Sequence, residues 1–285
     1  MKKTTTLIIF ITILLTALSS SAQKLTSHKG EVDNGYNFWL YNPNSDPDEE
    51  EAKPLIIFLH GASLCGNNLD RVRRYGTIDA IEKGYKPDAF VIAPQNPGGA
   101  WSPDRVMNVF DYVADNHNID YDRIYVLGMS LGGYGTIDMV AKYPEYIAAA
   151  MAFCGGASTK DISGLNDVPL WIIHGTADRA VSVSQSDKVV AQMEAQAGGI
   201  APRLIYDRIP GMNHGGPARM FYLPESYDWL FKHSLKDEGR FASEAFSLKN
   251  GILKKAYGKS SKKVRKSKSS SAKKKHRSKR RPRRS

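Results

Sequence analysis

The sequence predicts an α/β fold: an open, mostly parallel central sheet with helices on both faces. Three observations carry this. Short apolar runs alternate with helix-length stretches along the chain. Within the runs hydrophobicity is continuous instead of alternating, the pattern of strands covered on both faces. No internal repeat or linker divides the 285 residues, 41% of them hydrophobic, so one substantial core is expected.

The expected strands are, in order, "YNFWLYNP", "KPLIIFLHG", "AFVIAPQNP", "RIYVLGMS", "AAAMAFCGG", "VPLWIIHGTAD" and "PRLIYDRIPG". Helices fill the gaps at Asn68 to Lys83, Pro103 to His117, Leu131 to Tyr143, Val183 to Ala197 and Pro224 to His233. In a sheet built from such units the ligand site lies beyond the carboxyl ends of the strands.

Three segments follow from composition: residues 1–22, 23–250 and 251–285. The first, within "MKKTTTLIIFITILLTALSSSAQ", has Lys2 and Lys3, then an apolar stretch from Leu7 to Leu18, then small residues up to Ala22. That is the layout of a secretory signal peptide, with cleavage leaving Gln23 first. An uncleaved anchor is the alternative, and the apolar stretch is short for it. The mature protein is therefore expected outside the cytoplasm, periplasmic or extracellular, with no transmembrane segment.

Charge is uneven. The chain carries a formal +11, yet every acidic residue lies at or before Glu244, while Lys254 to Arg284 holds 17 of the 40 Lys and Arg. Without that run and Lys2 and Lys3, 21 basic residues face 29 acidic ones, so the globular part is acidic, at about −8. The basic tail lacks large apolar residues and periodicity, so it is expected to be disordered. Its charge suits non-specific contact with a polyanion, or else it is a solvated extension with no partner. The export signal argues against a nuclear-localisation role. Cys65 and Cys154 either pair or remain thiols; the sequence leaves both open.

In "RIYVLGMSLGGYGTID" one hydroxyl stands between Gly128 and Gly132, after a strand and before a helix. A strained residue in such a turn needs neighbours without bulk, which makes Ser130 the candidate nucleophile of a Gly-x-Ser-x-Gly elbow. The following helix N-terminus offers amide N–H groups to developing negative charge. Serine needs a base, and the base an orienting acid. In chain order Ser, acid, His, the acid is Asp178, just past a strand, and the base is His214, in the loop past the last strand. Both fall on the rim that carries Ser130.

Rival residues are weighed against these. His60 and His174 end strands and read as loop supports. His117 and His233 sit at helix ends, where a cation suits the dipole. His28 and His276 fall outside the expected site. Asp207 lies within a strand, and Asp161 and Asp167 read as surface residues. For the oxyanion hole, Leu131 supplies one backbone donor, and the loop after "FLHG" the other, with Ala62 ahead of Ser63.

The motifs "PLIIFLHGAS", "IAPQNPGGAWS", "DRIYVLGMSLGGYGTIDMVAKYPEYIAAAMAFCGGA", "VPLWIIHGTADRAVSVSQS" and "IPGMNHGG" together resemble the secreted bacterial α/β-hydrolases described as predicted peptidases or polyhydroxybutyrate-depolymerase-like esterases, near feruloyl and acetyl-xylan esterases. The resemblance covers about Tyr36 to Leu235. It implies an α/β-hydrolase fold with Ser130 as nucleophile, Asp178 as acid, His214 as base, and Leu131 and Ala62 as oxyanion donors. It places Gln95, Trp101 and Ser102 at the site mouth, where Trp101 either packs against a ring or sugar or anchors its loop. Two departures stand out: "GASLCGNN" puts Cys65 near the entrance, and the basic tail is foreign to the pattern.

The implied reaction is hydrolysis of carboxylic esters, short-chain, acetyl or feruloyl, on small molecules or on a polymer or glycan. No metal or organic cofactor is implied. Only 47 residues separate Ser130 from Asp178, which leaves room for a minimal lid at most. A serine peptidase is the enzymatic alternative, although peptidases of this kind usually carry a propeller or other selecting domain, and this sequence shows none. A polyanion-binding protein is the non-enzymatic alternative, against which the apparent triad argues.

Overall fold

A computed structural model describes residues 24–44, 51–248 and 251–256. The export signal read at residues 1–22 and residues 257–285 of the basic tail lie outside the described residues. The tail's expected start at residue 251 is corrected, since Ile252–Lys255 form a short helix whose Leu253 is buried against the core. Cys65 and Cys154 are free thiols.

Eight strands form one sheet: β1 (Lys24–His28), β2 (Phe38–Asn42), β3 (Lys53–Leu59), β4 (Phe90–Pro94), β5 (Ile119–Met129), β6 (Ala149–Phe153), β7 (Leu170–Gly175) and β8 (Leu204–Ile209), in spatial order β1-β2-β4-β3-β5-β6-β7-β8. The pairs β1–β2 and β2–β4 are antiparallel, and all others are parallel. The seven expected strands are all present. β1 is the addition; "KLTSH" is a short, polar edge strand with no apolar run to announce it.

Alternate residues of each central strand enter different cores, which is why the runs are continuous. Leu55, Ile57 and Leu59 pack with Val106 and Phe110 of α2 (Pro103–Asn116), Ile137 of α3 (Leu131–Lys142) and Val189 of α4 (Ser184–Ala197). Ile56 and Phe58 pack on the opposite face with Ile78 of α1 (Thr77–Glu82) and Tyr227 and Leu230 of α5 (Pro224–Phe231). Each such side chain contributes about 1.5–3 kcal/mol on full burial.

The expected helix from Asn68 to Lys83 is divided. A 3-10 turn covers Leu69–Arg74 and α1 begins at Thr77. Gly76 between them has φ 92°, and a Cβ there would sit 2.1 Å from Cζ of Phe58, so the chain bends where only glycine clears the sheet. Between Ser130 and Asp178 lie only α3, β6, a 3-10 turn at Ser163–Asp167 and β7. No lid element is inserted there.

Candidate active site

Strand β5 ends at Met129, and α3 starts at Leu131. Ser130 makes the whole turn with φ 58° and ψ −120°. A left-handed serine costs on the order of 1–3 kcal/mol and persists only where surrounding packing imposes it. Here a Cβ on Gly132 would lie 1.9 Å from the Leu59 carbonyl oxygen, and one on Gly128 would lie 2.3 Å from that of Gly132. The two glycines let α3 pack against the end of β3, and the Ser130 amide donates to Phe153 O at 2.8 Å. Serine before a helix ordinarily caps its first amides. The Ser130 hydroxyl does not; it makes no cap bond and stands free for other chemistry.

Asp178 lies in the loop after β7, its side chain fully covered. One carboxylate oxygen accepts from the Ala180 and Val181 amides at 2.8 and 2.9 Å, and the other from Nδ1 of His214 at 2.6 Å. Burial on its own would raise the carboxyl, but the bonds from His214 and the two amides outweigh it and hold Asp178 below the usual range. The pair is therefore an ionised carboxylate orienting an imidazole. His214 side-chain exposure is 28%, and the ring borders a cleft lined by Ala177, Arg179, Ala180 and Asn213. Ser130 Oγ and His214 Nε2 are on one rim but are not hydrogen-bonded, and neither has another partner among the described residues.

The loop after β3 is braced from below. Tyr75 OH accepts from the Gly61 amide at 2.7 Å, Arg71 donates to Ser63 O at 2.7 Å, and Gln95 Nε2 donates to Leu64 O and Asn68 O. The amides of Ala62 and Ser63 open a 3-10 turn and, like that of Leu131, find no acceptor among the described residues. A helix start and a turn start thus present unsatisfied N–H groups on the rim that carries Ser130.

Trp101 and Gln95 support this loop instead of lining the mouth. Trp101 is 4% exposed, its ring packs edge-on against His60 and Tyr36, and its Nε1 donates to His60 O at 3.2 Å. With its faces covered, the anchor reading fits. Gln95 is 3% exposed. Ser102 is the N-cap of α2, accepting from the Arg105 amide at 3.4 Å.

The rival groups have partners of their own. Asp207 accepts from Trp171 Nε1 at 2.8 Å, and Asp161 closes an exposed turn with Ser163. His174 is fully buried; its Nε2 faces both Val181 O at 3.0 Å and Asp178 at 3.2 Å, which puts the proton there and steadies the loop of Asp178. His117 and His233 do not serve their helix ends as cations, because burial lowers both.

His60 is fully buried, receives the Asn96 amide on Nε2 at 3.0 Å and faces Gly61 O from Nδ1 at 2.8 Å. Burial pushes it down to about 4, so it stays neutral. Unfolding returns it to its ordinary 6.5, and between those values the unfolded chain holds a proton the folded one lacks. Its contribution is complete above pH 6.5 and is lost as pH falls toward 4. Urea unfolding should show His60 removing about 2–3 kcal/mol between pH 7 and 4.5. His60→Gln should shrink that loss, and an unchanged loss would contradict the assignment.

Two neighbours of the site were not legible as such in the sequence. Tyr75 gives no signal. Cys154 does give one, since the last residue before a glycine pair after β6 must fall beside the elbow. It has φ 50°, its amide donates to Ile173 O, and Sγ donates to the His214 carbonyl at 3.6 Å.

A family model described as the prolyl oligopeptidase family matches residues 88–161. The bifunctional acetylxylan esterase/xylanase XynS20E of Neocallimastix patriciarum is 27% identical over 171 residues, covering 56% of this chain and 24% of that protein. Poly(3-hydroxyalkanoate) depolymerase C of Paucimonas lemoignei is 27% identical over 165 residues, covering 50% and 37%. The chain thus spans well under half the length of these two relatives. The crystal structure of a thermostable esterase superposes with a TM-score of 0.59 at 26% identity, covering 76% of this chain and 64% of that one. The strand order and this superposition are those of the α/β-hydrolase fold.

Proposed function

We propose that residues 23–250 form an exported serine hydrolase that cleaves carboxylic esters through an acyl-enzyme. The observation that carries this reading is an N-cap serine that caps nothing, held left-handed at the end of β5, on the same rim as an ionised Asp178 bonded to His214. His214 accepts the Ser130 proton on Nε2 as Oγ attacks the ester carbonyl. Asp178 keeps the other proton on Nδ1 and stabilises the imidazolium as it forms. Leu131 and Ala62 donate their amides to the oxyanion, each contributing about 3 kcal/mol in the transition state. His214 then returns the proton to the leaving alcohol, and water repeats the sequence on the acyl-enzyme.

Acetyl or feruloyl esters on a polymer are the substrates this reading favours. The short connection from Ser130 to Asp178 leaves the rim open to a bulky chain, and the two relatives above are named for polymer esters. A peptidase reading rests on the prolyl oligopeptidase match across β5 and α3. A panel of p-nitrophenyl acetate, methyl ferulate, long-chain acyl esters and peptide amides separates them. Turnover of the first two is expected; turnover confined to amides or to long-chain esters would overturn the reading.

A further inference from the structure

The proposed reaction leaves one group at the site unused. Cys154 Sγ, a carboxylate oxygen of Asp178 and a ring nitrogen of His214 all lie within 4.8 Å of one another. Among the described residues this is the one set of three His, Cys, Asp or Glu groups so gathered. Each belongs to a different strand end: β6, β7 and β8. We propose that this trio is an inhibitory site for a thiophilic divalent cation, with Zn2+ the species its donors favour.

The donor set decides the ion. One sulfur, one imidazole nitrogen and one carboxylate oxygen match tetrahedral zinc, with water or substrate in the fourth position. Bonds of about 2.0–2.3 Å set ligand atoms roughly 3.3–3.7 Å apart. With all three atoms already within 4.8 Å, the trio reaches that by closing its wider separations by at most about 1.5 Å and opening the 2.6 Å bond between His214 and Asp178. Entry is from the cleft side, where His214 is exposed; Cys154 and the Asp178 side chain are covered.

The proton balance explains inhibition. Zinc on Sγ displaces the thiol proton to solvent. Zinc on Nδ1 requires the imidazole to carry its proton on Nε2 instead, with no further release. An Nε2–H imidazole cannot take the Ser130 proton, so turnover stops while the nucleophile stays intact. This last step rests on the reading of His214 as base; ion binding does not.

The test separates the two. In a Cys65→Ser background, which removes the other free thiol, Co2+ is titrated as a spectroscopic stand-in while the near-ultraviolet thiolate-to-cobalt band is followed. Zn2+ inhibition of p-nitrophenyl acetate turnover is measured in parallel, each variant against its own metal-free rate. One equivalent of Co2+ with a charge-transfer band is expected, absent in Cys154→Ser and Cys154→Ala. The Zn2+ concentration for half-inhibition should rise at least about tenfold in both, as loss of a ligand predicts. No band before further substitution, or equal Zn2+ sensitivity in all variants, would overturn the site. A band with undiminished turnover would uphold the ion site and overturn His214 as the base.

Discussion

Ser130→Ala is expected to lower kcat on p-nitrophenyl acetate by about 10^5- to 10^6-fold, the loss met when a nucleophile acting as one unit with its base is removed. What survives is the background from the oxyanion amides and substrate binding. The substitution should leave unfolding unchanged to within about 0.5 kcal/mol, as expected where no special contact is lost. The hydroxyl caps no amide and makes no bond that the fold uses. An inactive but equally stable variant distinguishes a chemical role from a structural one. Near-wild-type turnover would remove Ser130 from the mechanism.

Asp178→Asn should cost about 10^4-fold in kcat, through the tautomer of His214. An asparagine oxygen can still accept the Ala180 and Val181 amides that the carboxylate holds at 2.8 and 2.9 Å. Its NH2 then faces Nδ1 and donates where the carboxylate accepted. His214 must carry its proton on Nε2, the atom required to be empty. The loss should fall on kcat with little change in KM, because the substrate is not expected to touch this covered side chain. A loss confined to KM would point to a binding role instead.

The two substitutions act on features of different legibility. The turn at Ser130 was readable because it needs a local device: glycines two residues to either side, an apolar run before and a helix after. The pairing of Asp178 with His214 was readable because parallel strands put their C-terminal ends on one rim, so position after a strand stands for position in space. That inference fails for anything decided by packing. For Trp101 the sequence left open a platform at the mouth or a loop anchor, and packing decides for the anchor, with its ring enclosed by His60 and Tyr36. Gln95 looked like a substrate contact, yet it spends its amide on Leu64 O and Asn68 O. Side-chain direction carried both outcomes, and no periodicity records it.

The same division holds in the fold. Apolar runs made seven of the eight strands plain, whereas β1 is legible only through its pairing with β2. The helix proposed from Asn68 to Lys83 broke because Phe58, on a different strand, meets the chain at Gly76. Cys154 was visible as a strand end, but its closeness to Asp178 and His214 needed the loops after β7 and β8 to fold back toward β6. The elements that sequence cannot reach are those whose cause lies far away in the chain.

The central claim is that Ser130 is the residue acylated by substrate. A small fluorophosphonate, which captures an activated serine, tests it most directly when followed by peptide mass mapping. One equivalent should abolish ester turnover and appear on the tryptic peptide from Ile124 to Lys142, whose one serine is Ser130. Inactivation with the adduct on another peptide, or full labelling of Ser130 with turnover intact, would contradict the account.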